Sequence, residues 1–250
     1  LRAPEEVPEL GLAEGALDAA TTDVAAGVRE ADFVVLAATV RAIEALLPRV
    51  WAAAASDAIL TDVGSTKRTI VRTAEGLAAT RPLPFVGSHP MAGSERRGYA
   101  VARADLFRGA TVVVTPTDAT PPAALKRVTE FWEALGARVT ALDPEVHDRA
   151  VAAISHLPHL VAMALVEAAI GFEPEALGLA AQGFKDTTRI AASDPVVWEE
   201  IFTTNRDALA ASMEAFGRAL AGLARLVEAG DVESRRAAIA RIKAAREALR

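Results

Sequence analysis

Short apolar runs of strand length alternate with longer helical patterns through the first part of the chain, and this restricts the fold more than any other feature. The strand-like runs lie at residues 32–37, 58–62, 83–86, 111–114 and 138–142. Helical patterns such as those at residues 43–50 and 66–79 separate them. This alternation predicts right-handed crossovers and a mostly parallel sheet covered by helices.

The pattern changes near residue 143. Beyond it no strand pattern is found, and apolar residues recur at spacings of three and four in four segments: 147–170, 196–202, 209–226 and 239–249. Apolar stripes on successive helices predict a helical domain that buries one face against a second copy of the chain. We therefore expect a doubly wound α/β domain over residues 1–142 and an all-α domain over residues 143–250.

Composition limits the partners of the chain. Its 250 residues carry a net charge of -6, with no cysteine and no basic stripe interleaved with aromatic residues. We therefore expect no nucleic-acid partner, no disulfide and no thiolate chemistry. No apolar run reaches the ~18 residues of a membrane span and no signal peptide is visible, so a cytoplasmic protein without membrane contact is expected. Because the chain starts at Leu1, we interpret it as a fragment or a processed form.

A histidine follows the third strand-like run, in the stretch GSHPMAGSE at residues 87–95. The chain has only four histidines, and this one, His89, is predicted to lie on a turn just past the strand. Ligands of doubly wound sheets gather beyond the carboxyl ends of the strands, and an imidazole there suits proton transfer near neutral pH. The alternative is a turn histidine that bonds a backbone carbonyl.

The stretch DVGSTK at residues 62–67 follows the second strand-like run and opens a helix. Gly64 allows a tight turn, and Ser65 or Thr66 can cap the helix, whose free N–H groups attract an anion or a polar edge of a cofactor. The alternative is an ordinary strand-to-helix turn. Because Ser65 and His89 follow separate strands, we expect the hydroxyl and the imidazole to converge at one edge of the sheet.

The helical part contains a histidine pair in SHLPH at residues 155–159. His156 and His159 are three apart and share a helical face, while Pro158 should kink the helix. The pair either faces a ligand or is buried in a helix interface. No carboxylate or third histidine has the spacing that a metal site needs, so we expect no metal.

A cationic pair lies further along, in GFKDTTR at residues 183–189. Lys185 and Arg189 are four apart and point the same way on a helix. Two cations on one face of an acidic protein form a candidate carboxylate site, with the bidentate fork of arginine. The alternative is a solvated face on which Asp186 pairs with Arg189.

Four motifs, in this order, resemble the prephenate dehydrogenases and the closely similar arogenate dehydrogenases. They are DVGSTK at 62–67, GSHPMAGSE at 87–95, SHLPH at 155–159 and FKDTTRIA at 184–191, the last followed by Asp194-Pro195 and Trp198. The resemblance implies a Rossmann-like dinucleotide-binding domain, a helical dimerisation domain and an active site between them. It also implies oxidative decarboxylation of prephenate to 4-hydroxyphenylpyruvate, or of arogenate to tyrosine, with NAD or NADP as hydride acceptor, in tyrosine biosynthesis by a homodimer.

The resemblance also assigns roles to residues. It implies that His89 accepts the proton of the substrate hydroxyl and that Ser65 hydrogen-bonds to the same group. It implies a substrate site formed by His159, Arg189, Lys185, His156, Ser94 and Glu95. It implies cofactor contacts at Ala37, Thr39, Asp62, Gly64, Ser88 and Pro90.

One departure from the family pattern leaves other functions open. The family opens with a strand and Gly-x-Gly-x-x-Gly, which lets the pyrophosphate approach a helix N-terminus, and this glycine-rich unit is missing here. The nearest rival is another β-hydroxyacid-type dehydrogenase, in which a lysine such as Lys185 is the catalytic acid. A rival of another class is a dimeric binding or regulatory subunit without catalysis.

Overall fold

The computed structural model describes residues 6–93 and 101–249, and its centre is a five-stranded sheet. The strands are β1 Phe33–Leu36, β2 Ile59–Asp62, β3 Phe85–Pro90, β4 Thr111–Thr115 and β5 Arg138–Ala141, and they lie side by side in this order. The first three are parallel to one another, β4 runs antiparallel to β3, and β5 is parallel to β4. The prediction of a mostly parallel sheet is therefore confirmed, with one antiparallel pairing.

Helices cover both faces of this sheet. The helices of this half are α1 Glu6–Ala13, α2 Val24–Val28, α3 Val40–Ala53, α4 Arg68–Ala78 and α5 Pro122–Ala134. Successive residues of β1 point to opposite sides, so Val34 belongs to a core cluster with α3 and α4, whereas Phe33 packs against a second cluster with α5. Trp132 of α5 is the largest side chain buried in the second cluster.

The strand that carries His89 is longer than the sequence predicts. His89 lies inside β3, opposite Val113 of β4, and not on a turn beyond the strand. The glycine before it, which is typical of a turn, has a packing role: a Cβ at Gly87 would lie 2.4 Å from the Thr115 hydroxyl. The missing side chain thus allows β4 to approach closely, and the antiparallel pairing extends β3 to Pro90.

The second half of the chain has no strand among the described residues 144–249, as predicted. Aspartates cap several of its helices: Asp143 accepts hydrogen bonds at the start of α6, Asp194 at α9 and Asp231 at α11. The helices of this half are α6 Pro144–Val151, α7 Leu157–Phe172, α8 Gln182–Thr188, α9 Pro195–Thr204, α10 Arg206–Glu228 and α11 Val232–Glu247.

Between α6 and α7 the helix continues through a π-helical turn, Ala152–His156. Pro158 follows at the start of α7, and because proline has no N–H the ordinary ladder cannot run through this point unchanged. The structure therefore places a π turn where the sequence predicts a kink. The continuous helix Pro144–Phe172 contains an 18-residue window with a mean hydropathy of 1.5, which is long and apolar enough to cross a bilayer by length and composition, a test that core helices of soluble proteins also pass.

A broad apolar surface covers the outside of the helical half. Phe172 is 92% exposed. The other large apolar side chains exposed on α7, α10 and α11 include Leu165, Ile170, Met213, Phe216, Leu220, Leu223, Val227, Ile239 and Ile242.

Candidate active site

The carboxyl edge of the sheet and the helical half enclose a cleft of about 380 Å³. Ser65 and His89 line it from the sheet side, so the predicted convergence of hydroxyl and imidazole is found. His156, His159 and Arg189 line it from the helical side. The remaining lining residues are Pro90, Met91, Ala92, Gly93, Ser155, Ile190, Ser193, Val197, Trp198 and Ile201.

His89 is buried at the base of this cleft. Its Nδ1 lies 2.9 Å from Nε2 of His147, at the start of the helical half. Burial lowers the pKa of His89 well below its usual range, and the neighbouring His147, Lys67 and His156 lower it further. The imidazole is therefore neutral near pH 7 and able to accept a proton.

The turn that carries Ser65 is held from below by a buried ion pair. Lys67 and Asp62 form a salt bridge with both side chains fully buried. Lys67 also donates to the Ser88 carbonyl at 2.7 Å, and Asp62 accepts from the backbone N–H of Gly64 at 2.8 Å and of Ser88 at 3.1 Å. The pair therefore ties the Ser65 turn to the strand of His89. Burial lowers the pKa of Lys67, while the charge of Asp62 acts in the opposite direction.

The cap of α4 differs from the sequence prediction. Neither Ser65 nor Thr66 caps this helix; Asp148 from the helical half accepts from the backbone N–H groups of Lys67 at 2.8 Å and Arg68 at 3.0 Å. The anion predicted for this helix N-terminus is thus supplied by the protein itself. Burial raises the pKa of Asp148, but hydrogen bonds from His147 and from these two N–H groups outweigh it and lower the pKa.

A second carboxylate of the helical half caps α3 in the same way. Glu200 accepts from the Thr39 hydroxyl at 3.2 Å and from the Arg41 backbone N–H at 3.1 Å. Its side chain is mostly buried, whereas the neighbouring Glu199 is exposed and pairs with the Arg41 guanidinium at 3.0 Å. Two helix N-termini of the sheet half are therefore each bound by a carboxylate of the helical half.

We expect Glu200→Ala to lower the free energy of unfolding by about 1–2 kcal/mol, because it leaves a helix N-terminus without its acceptor. Glu199→Ala is the matched control, since an exposed ion pair contributes less than about 0.5 kcal/mol. Urea unfolding of the two variants measures the difference. Equal losses in both would show that the buried cap contributes no more to stability than the exposed ion pair.

The two histidines of SHLPH have different surroundings. His156 is buried, and its Nδ1 lies 3.1 Å from the Asn205 amide. Burial lowers the pKa of His156 to about 4. His159 stacks on Trp198 with ring centroids 3.4 Å apart, and its Nδ1 is 2.9 Å from the Ser155 carbonyl. His156 therefore matches the alternative of a buried helix interface, and both histidines border the cleft.

Of the other predicted substrate residues, only Arg189 is found at the cleft among the described residues. Arg189 lines the cleft, and its charge lowers the pKa of His159, although burial of His159 is the larger cause. Lys185 is exposed on α8 and does not line the described cleft. Ser94 and Glu95 lie outside the described residues.

A smaller pocket of about 280 Å³ adjoins the cleft above the ends of β1 and β2. Ser65 lines both cavities, and Thr39 and Gly64 line the smaller one. Gly64 has a tight environment, because a Cβ there would lie 2.7 Å from Ile70 Cδ1 and 2.9 Å from an Asp62 oxygen.

The remaining predicted cofactor residues differ in exposure. Asp62 and Ser88 are fully buried and support the turn from within, so their side chains offer no surface to a cofactor. Ala37 is exposed just after β1. Pro90 lines the larger cleft.

Three polar residues at this site were not predicted from the sequence: His147, Asp148 and Glu200. One available signal was the rarity of histidine, since all four histidines of the chain lie in or directly behind the cleft. Nothing in the local pattern distinguishes Glu200 from its exposed neighbour Glu199.

Comparison with known proteins agrees with this geometry. Residues 3–141 match the family model "Prephenate dehydrogenase, nucleotide-binding domain", and residues 143–241 match "Prephenate dehydrogenase, dimerization domain". A cyclohexadienyl dehydrogenase of Zymomonas mobilis is 34% identical over 80% of this chain and 69% of that protein. The prephenate dehydrogenase of Bacillus subtilis is also 34% identical, over 88% of this chain, which spans 60% of that protein.

Solved structures give the same result. Prephenate dehydrogenase from A. aeolicus, crystallised with hydroxyphenyl propionate and NAD+, superimposes with a TM-score of 0.91 at 34% identity, over 99% of this chain and 87% of that chain. An arogenate dehydrogenase of Synechocystis superimposes with a TM-score of 0.84 at 29% identity, over 97% of this chain and 87% of that chain. Because both halves match in order and most of the chain is covered, the chain belongs to the prephenate dehydrogenase family.

Proposed function

We propose that the protein catalyses the NAD(P)-dependent oxidative decarboxylation of prephenate to 4-hydroxyphenylpyruvate. The observation that carries this proposal is a single cleft bordered by Ser65 and His89 from the sheet and by Arg189 from the helices. The name of the family and of the matched relatives supports the same reaction.

His89 is the proposed base. It takes the proton of the ring hydroxyl, and Ser65 hydrogen-bonds to the same oxygen. As the C=O bond forms, the ring carbon loses a hydride, for which a nicotinamide held in the adjoining pocket would be the acceptor. The ring carboxylate then leaves as carbon dioxide, and its bonding electrons make the ring aromatic. The proton held on His89 returns to the phenolate oxygen, so protons and electrons balance.

The far wall of the cleft suits the rest of the substrate. Arg189 presents a guanidinium that can bind a carboxylate through two parallel hydrogen bonds. The stacked rings of His159 and Trp198 form a flat wall beside it. The aliphatic side chains of Val197 and Ile201 enclose the space between this wall and the sheet.

The smaller pocket fits the nicotinamide end of the cofactor. It opens beside Ser65, and its walls include the apolar Ala38, Val63, Val197 and Ile201, which suit the flat faces of the nicotinamide ring. The N-termini of α3 and α4 are already bound by Glu200 and Asp148, so we do not assign the pyrophosphate to either helix.

Arg189→Lys should raise the KM for prephenate about tenfold and change kcat by less than a few-fold, because lysine has no bidentate fork. Arg138→Lys, at an exposed position of β5, is the matched control and should change neither constant. Steady-state kinetics of both variants decide the point. An unchanged KM in Arg189→Lys would remove Arg189 from the carboxylate site.

The reaction itself is tested with the complete gene product and a panel of substrates. We expect NADH or NADPH formation with prephenate or arogenate, with release of one carbon dioxide per reduced cofactor. Both substrates carry the same ring, so the roles of Ser65 and His89 are common to them. Activity only with aliphatic β-hydroxyacids, or no cofactor reduction with any member of the panel, would contradict the proposal.

The exposed apolar surface of α7 and α10 supports a homodimer. It lies in the half that matches the dimerization-domain model. Sedimentation that finds only monomers at micromolar concentration would contradict the dimer. The cytoplasmic location stays a prediction.

A further inference from the structure

Behind His89, away from the cleft, two further side chains continue a chain of hydrogen bonds. Nδ1 of His89 lies 2.9 Å from Nε2 of His147, and Nδ1 of His147 lies 2.7 Å from Oδ1 of Asp148. The side chain of His147 is fully buried and that of Asp148 is 3% exposed. Neither lines the cleft, so neither touches a substrate there.

We propose that His147 and Asp148 are positioning residues that hold His89 in the one tautomer able to act as a base. This inference rests on the proposed function, in which His89 accepts a proton. It assigns to the start of α6 a part in the chemistry of a histidine 58 residues away.

The tautomer of His89 follows from which atoms donate and which accept in this series of hydrogen bonds. An ionised carboxylate only accepts hydrogen bonds, so Nδ1 of His147 must carry the proton that it shares with Asp148. Nε2 of a neutral His147 is then an acceptor, which requires Nδ1 of His89 to be the donor. A neutral His89 has one ring proton, so its Nε2 carries the lone pair. Nε2 is the nitrogen that this arrangement leaves for a substrate in the cleft.

The same hydrogen bonds also stabilise His89 after it has accepted the substrate proton. The described charged and titratable groups around His89 are His147 and Asp148 of α6, His156 of the π turn, and the Lys67–Asp62 pair of the neighbouring turn. Lys67 opposes a positive charge on His89. Asp148 is the carboxylate linked to His89 through hydrogen bonds, and it offsets the charge that forms when His89 accepts the substrate proton.

A structural role of Asp148 must be separated from this one. Its carboxylate also accepts from the N–H groups of Lys67 and Arg68, so a substitution at Asp148 disturbs the cap of α4. His147 offers a cleaner test, because the side-chain oxygen of glutamine reaches the place of Nε2 while phenylalanine fills the same volume without an acceptor. His147→Gln and His147→Phe both lose the bond to Asp148 and differ in the acceptor offered to His89.

The test compares the two variants by ¹⁵N NMR of the histidine rings in the resting protein and by the pH profile of kcat/KM. We expect a proton on Nδ1 of His89 in the parent protein, a mixture of tautomers in His147→Phe, and a return to the Nδ1–H form in His147→Gln. We expect kcat to fall at least about tenfold in His147→Phe, with a shifted pH profile, and to recover partly in His147→Gln.

Three results would overturn the inference: a proton on Nε2 of His89 in the parent protein, an unchanged tautomer and pH profile in His147→Phe, or equal losses of kcat in both variants with the tautomer unchanged. The NMR measurement needs no substrate. Failure of the proposed function, seen as a parent protein inactive with every substrate, is therefore distinguishable from a failure of His147 and Asp148 to set the tautomer of His89.

Discussion

His89→Asn should lower kcat by about 10²- to 10⁴-fold, the range typical for loss of a positioned base. Asparagine keeps a polar group near the place of Nδ1, so it can still bond to His147, but it has no group at the place of Nε2. The variant therefore loses the base but can keep the hydrogen bond to His147. We expect the KM for prephenate to change by less than a few-fold, because Arg189 on the far wall still holds the carboxylate. Steady-state kinetics at saturating cofactor measure both constants.

The control for His89→Asn is a test that the variant still folds and assembles like the parent protein. The midpoint of urea unfolding and the oligomeric state should match those of the parent protein, since the strand β3 and its partner β4 are unchanged. A kcat that survives within a few-fold, with the fold intact, would show that His89 is not the base.

Lys67→Met should lower the free energy of unfolding by about 3–5 kcal/mol, because it leaves the carboxylate of Asp62 buried without its counter-ion. Methionine has nearly the length of lysine, so loss of packing is small. Lys126→Met is the matched control: Lys126 pairs with Glu130 on the exposed side of α5, and its removal should cost less than about 0.5 kcal/mol. Urea unfolding of both variants measures the difference.

A second substitution separates charge from packing at this pair. Asp62→Asn in the Lys67→Met background removes the isolated charge and keeps an oxygen for one of the two backbone N–H groups, so it should recover part of the lost stability. A double variant less stable than Lys67→Met would mean that the cost does not come from an uncompensated carboxylate.

Some parts of the fold and of the site can be predicted from the sequence, and others cannot. The alternation of runs up to residue 143 predicts the sheet, since strand and helix periods are local properties. The convergence of Ser65 and His89 is likewise predictable, because the ends of neighbouring parallel strands meet at one edge. The caps are not predictable in this way. Asp148 binds a backbone N–H 81 residues away, and Glu200 binds one 159 residues away, so no local pattern records either contact.

The position of His89 within a strand was missed for a related reason. The pairing with β4 decides where β3 ends, and that pairing depends on the absence of a side chain at Gly87 next to Thr115. From the sequence alone a glycine followed by serine is typical of a turn. Here the same glycine permits close approach of a second strand.

In the proposed mechanism the ring hydroxyl of the substrate lies between Ser65 and His89 while Arg189 holds a carboxylate. A crystal structure of the complete gene product with NAD and a 4-hydroxyphenyl carboxylate would show whether the ligand binds in this way. We expect the phenol oxygen within about 2.6–3.2 Å of both His89 Nε2 and Ser65 Oγ, with the carboxylate at the guanidinium of Arg189. A ligand bound in the opposite direction, with its carboxylate at His89, or bound outside the cleft, would contradict it.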